Sequence, residues 1–430
     1  MMARKRRRST GRAKLPLFDP ARRSLPRAPL LIIVADPHYI SDMNAPDGPA
    51  GPRFATKLPK VGTTIFTVMS SLAVEHDAVN LGQGFPDFDC DPALVDAVAD
   101  AMRAGHNQYP PMAGVAALRE RIAGKIEAVH GHRYDPRDEI TVTAGATQAI
   151  FTAVLAVVRP GDEVVVIEPV YDSYVPSIEL AGGTAVAVPM RADFRVDWPA
   201  VRAACTARTR AILVNSPHNP TGTILRAADL RELASIACAH DLIVISDEVY
   251  EHMVFDGQPH ESVSRYPELA ARSFVVSSFG KTFHVTGWKL GYCAAPAPLS
   301  AEFRKVHQFN VFTAHAPTQH GIASYMAERQ AWRDVASFYQ RKRDLFRAGL
   351  ARTRFRLLDC EGTFFQLVDY SAISELGEAD FAKWLTTEIG VAAIPLSAFY
   401  EQGTENRVVR FCFAKTDATL ERALSRLSAL

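Results

Sequence analysis

Lys281 stands in Ser277-Ser278-Phe279-Gly280-Lys281-Thr282, directly after the apolar run Phe274-Val275-Val276. Ahead of it come Asn219-Pro220-Thr221-Gly222 and Ser246-Asp247-Glu248-Val249-Tyr250. A lysine amine can capture an aldehyde as a Schiff base, a carboxylate can keep a pyridine nitrogen protonated, and a phenol can bond a ring oxygen. Those groups, each at the end of a run that reads as buried strand, are what pyridoxal 5′-phosphate chemistry requires.

Each residue has a plainer alternative. Asp247 follows Leu242-Ile243-Val244-Ile245-Ser246, so its carboxyl should be buried, with a raised pKa unless a cation sits beside it. A protonated ring nitrogen would be that cation; the plainer role is a cap at a strand-to-helix turn. Tyr250, three residues on, is close enough to reach the same ring. Asn219 lies in a turn-forming sequence and reads, in this order, as a second donor to the ring oxygen. Thr143-Ala144-Gly145-Ala146-Thr147 leaves one strand and opens a helix. Small residues there let backbone amides approach an anion, so Gly145, Ala146 and Thr147 are assigned to the cofactor phosphate, with Ser278 and Lys289 as further partners. Of the two lysines, Lys281 takes the covalent role, because desolvation after a buried strand frees its amine. In Val408-Val409-Arg410-Phe411-Cys412-Phe413 the strand period turns Val409, Phe411 and Phe413 inward and Arg410 the other way. A planar guanidinium in a cleft there would grip a substrate α-carboxylate; the alternative is a solvated edge arginine.

These groups need a sheet to converge. Short apolar runs at 140–143, 163–168, 184–189, 211–215, 242–246 and 274–278 alternate with helical stretches, which indicates an α/β fold with a mostly parallel sheet covered on both faces. The run 291–295 follows Lys281 too closely for a helical crossover and reads as antiparallel. In such sheets ligands sit beyond the carboxyl ends of the strands, where Asn219, Asp247 and Lys281 all fall. A long helical region is expected from about Ala301 to Arg352. After it come a strand at 362–369, a helix at 379–389, a strand at 407–414 and a closing helix at 421–430, the pattern of a smaller α+β domain. The expected organisation is a basic, disordered extension over 1–54, a large cofactor-binding domain over 86–324, and a small domain from 55–85 and 325–430.

A chain of 430 residues, 48% hydrophobic and 22% charged with net charge +1, has the composition of a soluble enzyme. It has no global charge drawing it to nucleic acid or to an anionic membrane. No apolar run approaches the roughly 20 residues of a membrane span. The six cysteines are scattered without metal-ligand spacing, so no metal is expected and a reducing cytoplasm is. Arg4-Lys5-Arg6-Arg7-Arg8 opens a Pro- and Arg-rich segment. We read it as disorder or an over-extended start, with Met43 the tidier beginning. A transit peptide lacks its amphipathic helix, and a nucleic-acid arm is weaker still, since charge runs are usually solvated.

With these residues placed, the chain from Lys57 to Leu430 resembles the class I/II aminotransferases of fold type I, nearest the methionine aminotransferase and kynurenine–glutamine transaminase group. The resemblance rests on residues 57–66 (KLPKVGTTIF), 80–89 (NLGQGFPDFD), 277–292 (SSFGKTFHVTGWKLGY), 393–397 (AIPLS) and 410–415 (RFCFAK). It implies that Tyr171 stacks on the cofactor ring and that Gly84 lies beside the substrate carboxylate. It also implies a homodimer with shared sites, Tyr109 of each chain reaching the neighbour's phosphate. Asn219, Asp247, Tyr250, Lys281 and Arg410 match the family's motif residues, whereas Lys289 replaces the arginine usual in the wider superfamily. The implied activity is ping-pong transamination between an amino acid and a 2-oxo acid. No second arginine appears around Val311 to Gln319, where dicarboxylate-specific relatives carry one, so the implied donor is neutral: methionine first, then aromatic residues, glutamine, histidine or kynurenine. Two rivals share the fold, a cysteine-conjugate β-lyase and a cofactor-sensing transcription regulator. The segment before Lys57 is too short and Pro-broken for the latter's DNA-binding module.

Overall fold

The computed structural model describes residues 55–430; the expectations placed on 1–54 and Met43 lie outside the described residues. The apolar runs form one seven-stranded sheet. Its members are Ile140–Thr143 (β1), Glu163–Glu168 (β2), Thr184–Pro189 (β3), Thr209–Asn215 (β4), Ile243–Asp247 (β5), Ser273–Ser278 (β6) and Gly291–Ala294 (β7), in the order β1-β7-β6-β5-β4-β2-β3. Strands β2 to β6 pair in parallel. β7 runs antiparallel to both neighbours, as its short link to Lys281 demanded.

Strand period divides the core. Val165, Ile212, Val244 and Val275 face the helices Ala116–His130, Ala227–Ala239 and Ala316–Glu328. Val164, Val166, Leu213, Ile245 and Phe274 face Ala146–Val157 and Ala297–Asn310 on the other side. Each fully buried Val, Ile or Leu side chain is worth roughly 1.5–3 kcal/mol relative to exposure, which is why stretches such as Val164–Ile167, Ile212–Val214 and Ile243–Ile245 are unbroken aliphatic runs. A second, antiparallel sheet joins Arg356–Leu357 (β8), Phe365–Asp369 (β9), Ile394–Pro395 (β10) and Val408–Cys412 (β11) in the order β10-β11-β9-β8. Phe346, Phe355, Phe381 and Phe411 fill its core.

Several boundaries differ from the sequence reading. The long helical region is three helices, Ala297–Asn310, Ala316–Glu328 and Val335–Leu350; the first break contains Phe312 in the left-handed region (φ +67°). β9 starts at Phe365 rather than Gly362 because Thr363 also has positive φ, +66°. The helix after Glu378 widens into a π-turn over Leu385–Ile389. The last helix begins at Asp417, where the Thr416 side chain accepts from the Thr419 N–H. A helix at Ile65–Glu75, capped by Thr64, was not anticipated. β11 lies inside its sheet with both faces covered, so Arg410 is not on an edge.

One polar cluster ties this frame together beneath the strand ends. Lys125 Nζ lies 2.5 Å from Glu251 Oε1 and 2.8 Å from the Tyr292 hydroxyl. Glu251 also accepts from His130 Nε2 at 3.0 Å and from the Ser277 hydroxyl. Burial opposes the charge, yet Lys125, His252 and His130 hold the Glu251 carboxyl well below its usual range. Removing one partner of a buried pair leaves the other charge uncompensated. Lys125→Met should therefore destabilise the protein by about 3–5 kcal/mol, read from the denaturant midpoint. A shift below about 1 kcal/mol would show that the pair is not the brace described.

Candidate active site

The carboxyl ends of β1, β2, β4, β5 and β6 open onto one cavity of about 250 Å³. The antiparallel β7 brings its amino end there, so Lys289, just ahead of it, joins the same edge. Of the residues assigned from sequence, Gly84, Gly145, Ala146, Thr147, Tyr171, Asn219, Asp247, Tyr250, Ser278, Lys281, Lys289 and Arg410 all line this cavity. Tyr109 does not. It is 83% exposed, its ring edge-on to Phe312 at 5.4 Å.

Asp247 is the last residue of β5 rather than the first after it. Its Oδ2 accepts from the Tyr174 hydroxyl at 2.5 Å and its Oδ1 from the Val249 N–H at 3.2 Å. Burial pushes its pKa up to about 6, against the pull of those two donors. A cation docked on this carboxylate would restore its charge. Lys281 sits in the single helical turn Phe279–Thr282 that follows β6, and its Nζ donates to the Gly84 carbonyl at 3.1 Å. Burial above all, with Arg410 and Lys289 adding to it, lowers its pKa to about 8. A useful fraction of the amine is thus neutral near pH 7.

At the opposite end of the cavity Gly145 precedes the helix Ala146–Val157 with φ +84°, a conformation only glycine adopts without strain. A Cβ there would lie 3.3 Å from Lys289 Nζ, so the lysine amine stands over the helix amino terminus. Free N–H groups, the helix dipole, the Ser278 hydroxyl and a cation make an anion site.

Arg410 is 1% exposed. Its Nη1 donates to Asn219 Oδ1 at 2.7 Å and its Nη2 to the Gly82 carbonyl at 3.0 Å. The guanidinium lies 3.9 Å from the Phe365 ring centroid, with Phe399 and Phe66 at 5.0 and 5.4 Å. Burial lowers its pKa to about 10, so it stays charged, and its buried Nε has no partner among the described residues. Because Arg410 occupies the Asn219 carbonyl, the amide N–H groups of Asn219 are what that residue offers the cavity. Gly84 must also be small, since a Cβ would come within 2.9 Å of Phe365.

An aldehyde-capturing amine, a buried acid short of a cation and an anion cradle fit a phosphorylated pyridine aldehyde, with a cationic grip left over for a carboxylate. A family model described as aminotransferase class I and II matches residues 76–427. The chain belongs to the class I and II aminotransferases. It is 49% identical over 377 residues to the methionine aminotransferase of Escherichia coli (strain K12), covering 87% of this chain and 98% of that protein. The crystal structure of the E. coli protein YbdL, reported with a methionine aminotransferase function, superposes with a TM-score of 0.87 at 49% identity and covers 89% of this chain and all of that one. A probable N-succinyldiaminopimelate aminotransferase of Mycobacterium tuberculosis is 43% identical over 388 residues, covering 87% and 98% of the two chains. This aminotransferase therefore uses pyridoxal 5′-phosphate to move an amino group. These relatives do not favour the lyase or regulator readings. No helix among the described residues is long and apolar enough to cross a membrane.

Two residues around Asp247 escaped the sequence reading. Tyr174, which bonds its carboxylate, is in the same Tyr171-Asp172-Ser173-Tyr174 segment as the stacking candidate but was given no role. Asn215 ends β4 with its amide donating to the Asp247 carbonyl at 2.8 Å and its Oδ1 accepting from the Asn219 N–H at 2.8 Å. A polar residue closing the apolar run 211–214 was the available signal.

Proposed function

We propose that this aminotransferase acts on a neutral amino acid, methionine or an aromatic one by preference, and on a 2-oxo acid in a ping-pong cycle. The observation that supports this reading is the setting of Arg410. It is the only arginine lining the cavity among the described residues, and three phenylalanine rings surround it. One guanidinium serves the α-carboxylate; nothing comparable remains for a second.

Bound pyridoxal phosphate supplies the aldehyde that carries the amino group and a ring that draws electrons from it. The chain's part is then specific. Lys281 would hold the cofactor aldehyde through its amine and would serve as general base for the proton on the substrate Cα. Asp247, steadied by Tyr174 and Val249, keeps its negative charge at the ring nitrogen. The Tyr250 phenol and Asn219 amide would donate to the ring oxygen, and Tyr171 would pack against the ring. Gly145, Ala146, Thr147, Ser278 and Lys289 would hold the phosphate, Lys289 as a point charge rather than a bidentate fork. Gly84 borders the substrate carboxylate.

The same proposal includes a homodimer with Tyr109 completing the neighbour's phosphate site. Exposed Tyr109, Phe309 and Phe312 support it, since clustered apolar exposure marks an interface. Gln148, next to Thr147, bonds Asn310 at 3.2 Å, which sets these rings beside the phosphate end. We also propose a large domain over 86–324 and a small one from 55–85 and 325–430; each sheet has its own core, with Tyr325, Met326 and Trp332 packing into the first and Val249, Tyr250, Met253 and Phe255 into the second. A cytoplasmic setting is supported by six free cysteines.

A donor panel tests the substrate. With methionine, phenylalanine, tyrosine, glutamine, histidine, kynurenine, aspartate and glutamate, kcat/KM for methionine should exceed that for glutamate by about 100-fold. Equal or faster turnover of aspartate or glutamate contradicts the reading.

A further inference from the structure

Five charged side chains line the cavity: Lys281, Lys289, Arg410, Asp247 and Asp172. The first four are accounted for by the cofactor and the substrate α-carboxylate. Asp172 is not. It follows the ring-stacking Tyr171 at the outer rim, and among the described residues it makes no salt bridge. It lines the same cavity as Arg410 while remaining exposed to solvent; partial desolvation pushes its carboxyl up, Arg410 pulls it down, and Asp172 in turn favours the charged form of Arg410.

An amino acid gripped by Arg410 sends its side chain away from a carbon one bond from the gripped carboxylate. A neutral side chain meets the rings of Phe66 and Phe365, while the exposed Asp172 carboxylate can keep its hydration and adds no charge repulsion. A second carboxylate enters the field of Asp172 in a cavity whose walls screen charge less well than open water. We propose that Asp172 is a specificity-determining residue whose carboxylate, lining the same cavity as Arg410, rejects amino and 2-oxo acids bearing a second carboxylate. The effect is a repulsive element rather than an added attraction, a common route to discrimination. This inference rests on the neutral-substrate reading above and names the group that enforces it.

The test uses wild-type holoenzyme, Asp172→Asn and Asp172→Ser. Measured are kcat and KM for methionine and glutamate, and competitive inhibition by succinate as a binding readout free of turnover. In both variants the glutamate-to-methionine ratio of kcat/KM should rise at least about tenfold, through KM, and succinate should bind tighter by a similar factor. A ratio and a succinate constant within about twofold of wild type in a methionine-selective enzyme overturn the role of Asp172 alone. A wild-type enzyme that already favours glutamate overturns the neutral-substrate reading, and the inference with it.

Discussion

Lys281→Ala protein takes up pyridoxal phosphate but does not transaminate: kcat should fall by at least about 10⁴, the upper end of what one positioned general base contributes. Two losses coincide at one position. Lys281 is proposed to have two duties, holding the cofactor and carrying the Cα proton, and the substitution removes both. The anion cradle at Gly145 and Lys289 and the acid at Asp247 remain, so non-covalent binding should persist and be visible by equilibrium dialysis. The lowered pKa of Lys281, about 8, adds a signed pH effect to the wild-type protein. The attacking species is the neutral amine, so capture of the aldehyde by apoprotein should quicken as pH rises through about 8 and slow below it. Stopped-flow absorbance of apoprotein mixed with cofactor measures this. Residual turnover within tenfold of wild type in Lys281→Ala would contradict the assignment.

Asp247→Asn should cost on the order of 10³ in kcat, the scale seen when a buried electrostatic partner of a transition state is removed. The amide keeps the shape, although its single oxygen can accept from only one of the two donors, Tyr174 and Val249, that the carboxylate satisfies with two oxygens. It cannot supply the negative charge that keeps the ring nitrogen protonated, so electron withdrawal fails while the pocket stays intact. The unliganded carboxyl has its pKa raised by burial to about 6. A folded-state value above the ordinary 3.8 means that this group's contribution favours the fold at low pH and is lost as pH rises through about 6. Cofactor binding supplies the missing cation and reverses the trend. The thermal stabilisation by pyridoxal phosphate should therefore grow between pH 5 and 7 more steeply in wild type than in Asp247→Asn, which keeps only the pH dependence of the phosphate and of Lys281. A variant with wild-type kcat would remove Asp247 from the mechanism.

The chemistry was legible because its carriers are local in sequence. Lys281, Asp247 and Asn219 each follow a buried run, and the carboxyl edge of a parallel sheet gathers whatever follows such runs. Arg410 was placed by a period-two argument instead, and it does line the cavity, on an interior strand rather than an edge. Hidden were the interactions whose partners are distant in the chain. Lys125 is 126 residues from Glu251, and nothing in either segment announces the pair. Phe365 stacks on Arg410 through a sheet pairing that places Leu367, not Phe365, opposite it, so the contact depends on side-chain direction. The breaks in the 297–350 helices went unseen because the flanking segments are all helix-forming, and a positive φ at Phe312 leaves no mark in composition.

Reductive trapping tests the central claim most directly. Holoprotein is treated with borohydride, digested and mapped by mass spectrometry. The account predicts a single pyridoxyl-phosphate adduct on Lys281, carried by the peptide containing Ser277-Ser278-Phe279-Gly280, with Lys289 unmodified. An adduct on Lys289, or an active holoprotein with Lys281 unlabelled, would contradict it.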